Sequence, residues 1–181
     1  NKFIELFSDI DGGFFYTSSK SEKLISRKKE IHDGAMPSGN SIMLDVLLKL
    51  YSYTDNSIYF SLAEKMIRAF STAINSVPSA YSYFLCSLDR YFNDTINIGF
   101  AGTEDFSELI SNIRQNFNPN LNIIDLSKTK KEEILSEYQK NILEKNHSVA
   151  CYICVGTECY EPIIGMDNIK KELLEKYNIK F

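Results

Sequence analysis

No apolar run in this 181-residue chain approaches the ~20 residues that a membrane-spanning helix needs, and no basic-then-apolar leader opens it. The expectation is a cytoplasmic protein. Positive charge is also in short supply: 20 Lys and Arg stand against 24 Asp and Glu, a formal net charge of -4. The run Arg27-Lys28-Lys29 is too short to neutralise a phosphate backbone, which excludes nucleic acid as a partner. Four cysteines are too few for a disulfide scaffold at this length. The glycine pattern Gly99-Phe100-Ala101-Gly102 is an incomplete nucleotide fingerprint, and Glu104 and Asp105 behind it would repel a phosphate, so a tight strand-to-helix turn is expected there. None of this names a reaction. The 44% hydrophobic content is enough to bury a real core, in one domain or two small ones.

The most informative stretch runs from Asp33 to Ser41, Asp-Gly-Ala-Met-Pro-Ser-Gly-Asn-Ser. It joins a carboxylate, a rigid turn at Pro37 and a helix start that Ser38 or Asn40 can cap. Free N–H groups at such a start suit an anion or a polyhydroxy ligand, and the same residues make an ordinary capped helix. On the first reading Asp33 is the candidate general acid/base, with Arg27, Lys29, Ser38 and Asn40 binding substrate.

Ahead of this stretch, Phe3, Ile4, Leu6 and Phe7 open the chain on an apolar segment. Phe14 to Thr17 and Leu24-Ile25 are expected to be short extended pieces, with a turn at Asp11-Gly12-Gly13. Beyond it, Ser41 to Thr54 is apolar at nearly every position, which predicts a helix buried on most sides. From Ile58 to Val77 the apolar residues Tyr59, Leu62, Met66, Phe70, Ala73 and Val77 fall on one face, an outer helix. Ala80 to Phe92 is again apolar and should be enclosed. Inner, outer, inner is the order of stacked helical hairpins in a toroid. A closed toroid of twelve helices of about 11 to 12 residues, with loops of about 4 to 6, needs on the order of 200 residues, and only three such helices are present.

The second half alternates strand and helix: Ile96 to Phe100, a helix from Gly102-Thr103 to Phe117, Leu121 to Leu126, a helix from Glu132 to Lys145, and Val149 to Val155. This pattern predicts a small α/β unit with a three-stranded parallel sheet. A last helix, Asn168 to Tyr177, would be capped by Asp167. The fold class is therefore mixed α+β: a partial helical-hairpin toroid over residues 1–94, then the α/β unit over 95–181.

Three cysteines, Cys151, Cys154 and Cys159, lie near the end with His147 close by. They allow buried thiols, a redox-active or disulfide pair, or a zinc site. In an extended strand Cys151 and Cys154 point to opposite faces, whereas a turn at Gly156-Thr157 brings Cys154 to Cys159, so proximity without metal is expected. No cofactor is called for.

Taken together, Gly12-Gly13-Phe14-Phe15, Arg27, Lys29, Asp33, Ala35, Pro37-Ser38-Gly39-Asn40-Ser41, Tyr152, Cys154, Cys159 and Pro162 resemble the YyaL-like, spermatogenesis-associated thioredoxin-domain proteins. The matches occur in the family's order and span nearly the whole chain. Tyr16 stands where such proteins often have Asp, and Cys151 is outside the pattern. The resemblance implies the C-terminal part of a longer protein. Its missing N-terminal portion would hold a thioredoxin-like domain and the remaining hairpins of an (α/α)6 toroid similar to sugar epimerases. Two functions follow as expectations. One is a toroid sector that binds a carbohydrate or similar polar small molecule; the other is a redox or interaction module acting through Cys154 and Cys159. Self-association of the isolated chain is expected from its uncovered apolar helices.

Overall fold

The computed structural model describes residues 2–22, 26–115, 118–128, 137–144, 148–156 and 158–177. Leu24, Ile25, Phe117, Glu132, Lys145, His147 and Thr157, named above as parts of expected strands, helices, a turn or a ligand set, lie outside them. The chain divides into two compact units, Asn1–Tyr51 with Asp55–Phe92, and Ser52–Thr54 with Asn93–Phe181.

The first unit is helical. A short helix α1 (Lys2–Phe7) is followed by an extended stretch with a single bridge between Ser8 and Phe14, so Phe14 to Thr17 is a packed loop and not a named strand. Helix α2 (Gly39–Thr54) starts where the Ser38 side chain accepts from the Ser41 N–H, and ends where Asp55, in the left-handed region, donates its N–H to Tyr51 O. Helix α3 (Ser57–Ser76) is capped by Asn56 and stops before Pro78, whose ring disfavours a helical Val77. A 3-10 turn at Pro78–Tyr81 then leads into α4 (Ser82–Phe92), two residues later than the apolar pattern begins.

Leu44, Leu47, Met66 and Phe84 are almost fully buried together, each contributing about 1.5–3 kcal/mol of apolar burial. The buried stripe of α3 is Ala63, Met66, Phe70 and Ile74. Ala73 and Val77 do not belong to it, because the stripe follows the i, i+3, i+4 rows from Met66 and Val77 lies beyond the helix end. Helix α2 is buried or half-buried on most sides and leaves a narrow apolar stripe uncovered, with Ile42 and Val46 44% and 37% exposed; on α4 Leu85 is 37% exposed.

The second unit has a five-stranded mixed sheet. Strand β1 (Ile96–Gly102) pairs in parallel with β2 (Leu121–Asp125), after a crossover through α5 (Ser107–Arg114). Strand β3 (Val149–Val155) pairs antiparallel with β1, which corrects the expected three-stranded parallel sheet. Its other edge carries two short antiparallel strands, β4 (Glu158–Cys159) and β5 (Ile163–Ile164). A central strand buried on both faces is apolar throughout, and such a run holds no trace of strand direction.

Helices cover both faces of the sheet. Ile98, Phe100, Val149, Cys151 and Ile153 pack against α5 and against Ile169 and Leu173 of α7 (Met166–Tyr177). Ala101, Ala150 and Tyr152 face the other way, toward Leu126 and Ile142, the latter on α6 (Glu137–Glu144). Two helix starts differ from expectation. Helix α5 begins at Ser107 because Asp105 receives the Ser107 N–H and hydroxyl in a local turn. Asp167 lies inside the first turn of α7, where it faces the positive helix end without being the cap.

Candidate functional site

Asp33 and the helix start behind it form a closed hydrogen-bond clasp. The Ser38 N–H donates to Asp33 Oδ1 at 2.8 Å, and the Tyr83 and Phe84 N–H groups donate to Oδ2 at 2.8 and 3.2 Å. Those last two belong to the first turn of α4, which has no intrahelical partner for them. In return the Asp33 N–H donates to Ala80 O at 2.9 Å. Burial pushes the Asp33 pKa up, but the Ser38 N–H, the Ser41 hydroxyl and the Phe84 and Tyr83 N–H groups outweigh it and hold the carboxyl below its ordinary value. At neutral pH it is an anion whose two oxygens are both engaged. That arrangement caps a helix from 50 positions away in sequence, and leaves a general acid no proton to give.

The other polar candidates are bound into the same unit. Asn40, 3% exposed, takes the Phe14 N–H on Oδ1 at 2.7 Å and donates from Nδ2 to Phe14 O and Glu30 O at 3.0 and 2.7 Å. It pairs with Phe14 as a neighbouring strand would. Ser38 is buried, its hydroxyl donating to Ser41 Oγ at 2.9 Å. Lys29 bonds Asp9 at 2.6 Å and Gly12 O at 2.9 Å, and the ammonium is the leading cause of a lowered Asp9 pKa. Gly12, at φ +101, has no room for a side chain, since a Cβ would sit 2.4 Å from Lys65 O. Arg27 donates to Leu6 O and Thr17 O and lies 4.0 Å over the Phe15 ring; its Nε is buried with no partner among the described residues. Arg27, Lys29, Ser38, Asn40 and Asp33 thus tie the N-terminal loop and α4 to the start of α2.

The cysteines are arranged differently. Cys154 and Cys159 face each other across the β3–β4 hairpin and are joined by a disulfide. Gly156 makes the turn at φ +58, where a Cβ would meet Asp94 Oδ1 at 2.7 Å. Cys159 is exposed and Cys154 half-buried. Cys151 lies on the opposite face of β3 in the α5/α7 core, where burial pushes its thiol far up and leaves it inert. Among the described residues no group of three His, Cys, Asp or Glu side chains is placed to hold a metal.

Beside the disulfide lies a cleft of about 250 Å³, with Cys159 in its wall and Cys154 outside it. Tyr138, Tyr152 and Tyr160 supply its aromatic surface, and Asn141 and Glu161 its polar groups. Tyr138 stands edge-on to Tyr152 and donates its hydroxyl to Tyr160 O at 3.1 Å. Burial, and then the Glu161 charge, raise the Tyr138 pKa, and burial raises that of Tyr152. The Tyr152 hydroxyl is buried with no partner among the described residues. Sequence reasoning missed Tyr138, Tyr160 and Glu161. The available signal was strand alternation, which places Tyr152 on the same face as Cys154.

The comparisons agree with the resemblance at a distance. No family model matches the chain. It is 28% identical to an uncharacterised protein of Caenorhabditis elegans over 170 residues, 91% of this chain and 23% of that protein. It is 24% identical to human spermatogenesis-associated protein 20 over 177 residues, 93% of this chain and 22% of the relative, and 25% identical to its mouse counterpart over the same length. The chain spans less than a quarter of the length of these curated relatives. No helix among the described residues is long and apolar enough to cross a membrane.

Proposed function

We propose that this chain is a thiol–disulfide exchange module of a longer protein, in which Cys154 and Cys159 cycle with a thioredoxin-like domain. The observation that carries the reading is the position of the disulfide, on a surface hairpin with one sulfur-bearing residue exposed beside a cleft. Exposed disulfides of this kind are the labile ones, and in a reducing compartment they act transiently. A thioredoxin-like domain whose resolving cysteine is replaced by serine should be captured by this chain as a mixed disulfide. The Cys154→Ser/Cys159→Ser double variant should abolish capture, and a wild-type chain that is never captured overturns the reading.

The helical unit is, on the same proposal, one sector of a larger helical toroid. The support is the uncovered apolar surface of Ile42, Val46 and Leu85, and relatives more than four times as long as the matched stretch. Alone, the chain should self-associate as its concentration rises in sedimentation, and Ile42→Ser/Val46→Ser should weaken that association. A wild type that stays monomeric rejects the sector. A carbohydrate-directed activity of that toroid rests on analogy of fold, and the engaged oxygens of Asp33 lend it no support.

A further inference from the structure

The disulfide is not symmetric toward its surroundings: the cleft touches Cys159 and not Cys154. Cys154 sits half-buried in the longer strand β3, held between β1 and β4, whereas Cys159 is exposed on the two-residue strand β4. A nucleophile reaches a disulfide by the more accessible sulfur, and access decides which sulfur is attacked.

The charge around the cleft is equally one-sided. Glu161 is the one charged side chain among the described residues that line it. Lys176 on α7 is near enough to Tyr160 to interact with it, but its ammonium is engaged by Glu172. The other described residues of the wall are uncharged: three phenols, the Asn141 amide, Ile142, Pro162 and Cys159 itself.

We infer that this cleft is the docking site of the attacking thiol, that the thiol attacks Cys159 Sγ, and that the site selects thiols without negative charge. The inference rests on the exchange reading above. The incoming thiolate forms a new S–S bond to Cys159 while the Cys159–Cys154 bond breaks. Cys154 leaves with the electron pair as a thiolate and takes a proton from water. The incoming thiol is thereby oxidised to a mixed disulfide and Cys154 is reduced. A second thiol equivalent then attacks the mixed disulfide and frees Cys159. The cleft volume of about 250 Å³ suits one cysteinyl side chain with its adjoining backbone.

The test uses three small thiols of different charge: cysteamine, 2-mercaptoethanol and 2-mercaptoethanesulfonate. Each is reacted briefly with the full chain in a Cys86→Ser background, since Cys86 is an exposed free thiol. After acid quenching, alkylation and peptide mass analysis, the adduct should lie on Cys159 and the alkyl group on Cys154. Rates are normalised to a small neutral disulfide, which removes intrinsic nucleophilicity. At low ionic strength cysteamine should then exceed the sulfonate by about three- to tenfold, and Glu161→Gln or high salt should bring the ratio near one.

Adducts on Cys154, or equally on both sulfurs, overturn the assignment of the attacked atom. A charge ratio untouched by Glu161→Gln overturns the selectivity. If the small thiols add at Cys159 while the thioredoxin-like domain is never captured, the cleft inference stands and the domain partner falls. If no thiol opens the disulfide, both fall.

Discussion

Asp33→Ala should destabilise the chain by about 2–3 kcal/mol, more than an exposed carboxylate can contribute. Its two oxygens hold the N–H groups of Ser38, Tyr83 and Phe84, so the substitution removes the cap of α4 and the closure of the turn before α2 in one step. The measurement is urea unfolding followed by far-UV circular dichroism, read as a lowered midpoint with an unchanged slope. Asp33→Asn should fall between the two, because the amide keeps one acceptor and turns a donor against the remaining N–H groups. The pH dependence follows from the lowered folded-state pKa. The stabilisation is fully present above the unfolded value of about 3.9, and is lost as pH falls through the lower folded value. The gap between wild type and Asp33→Asn should therefore narrow below about pH 4. A stable Asp33→Asn chain that loses a binding activity would return Asp33 to the role of acid or base.

How much of this was legible beforehand depends on the distance over which each contact acts. The start of α2 is local: Ser38 caps Ser41 three residues on, and the motif shows it. The limits of β3 are local too, set by a run of apolar residues ending at Gly156. The Cys154–Cys159 approach needs only the alternation of a strand and a tight turn. What was hidden acts across the chain. Nothing near Asp33 announces that its carboxylate caps a helix at Tyr83 and Phe84. Strands β4 and β5 have two residues each, too short for a period of two to register, and the antiparallel pairing of β3 with β1, which makes the sheet mixed, is a long-range contact that an apolar run does not reveal. The cleft is assembled from α6, β3 and the segment from Cys159 to Pro162, three pieces that only the folded sheet brings together.

The two units use polar side chains in opposite ways. In the first, Asp33, Ser38, Asn40 and Lys29 spend their polar groups on backbone and neighbouring side chains, and among the candidates there only Arg27 keeps a buried N–H, its Nε, without a partner among the described residues. In the second, the Tyr152 hydroxyl has no partner among the described residues and an oxidised cysteine pair faces solvent. Unspent hydrogen-bonding capacity beside a reactive bond is the better marker of a site than a carboxylate at a helix start.

Asn40 gives the largest stability effect expected among the polar candidates of this stretch. Asn40→Ala strips one acceptor and two donors from a buried position, leaving the Phe14 N–H, Phe14 O and Glu30 O without their partner. Each such group costs about 1–3 kcal/mol, so the loss should reach about 3–4 kcal/mol after partial relaxation. Asn40→Asp should be at least as harmful, although it is the same size. It keeps the acceptor for Phe14 N–H but turns a charged oxygen toward two carbonyls, in a site where the residue is 3% exposed. Because Asn40 fastens the N-terminal loop, part of the chain should detach before the rest unfolds. Hydrogen exchange should then show the Phe14 amide losing protection in the Ala variant, which lacks its acceptor, while the amides of α3 keep theirs. A ligand-binding Asn40 would behave otherwise, since a residue held in place for a substrate leaves no backbone group unpaired when it is replaced. Full stability of Asn40→Asp would end the account of this stretch as a scaffold.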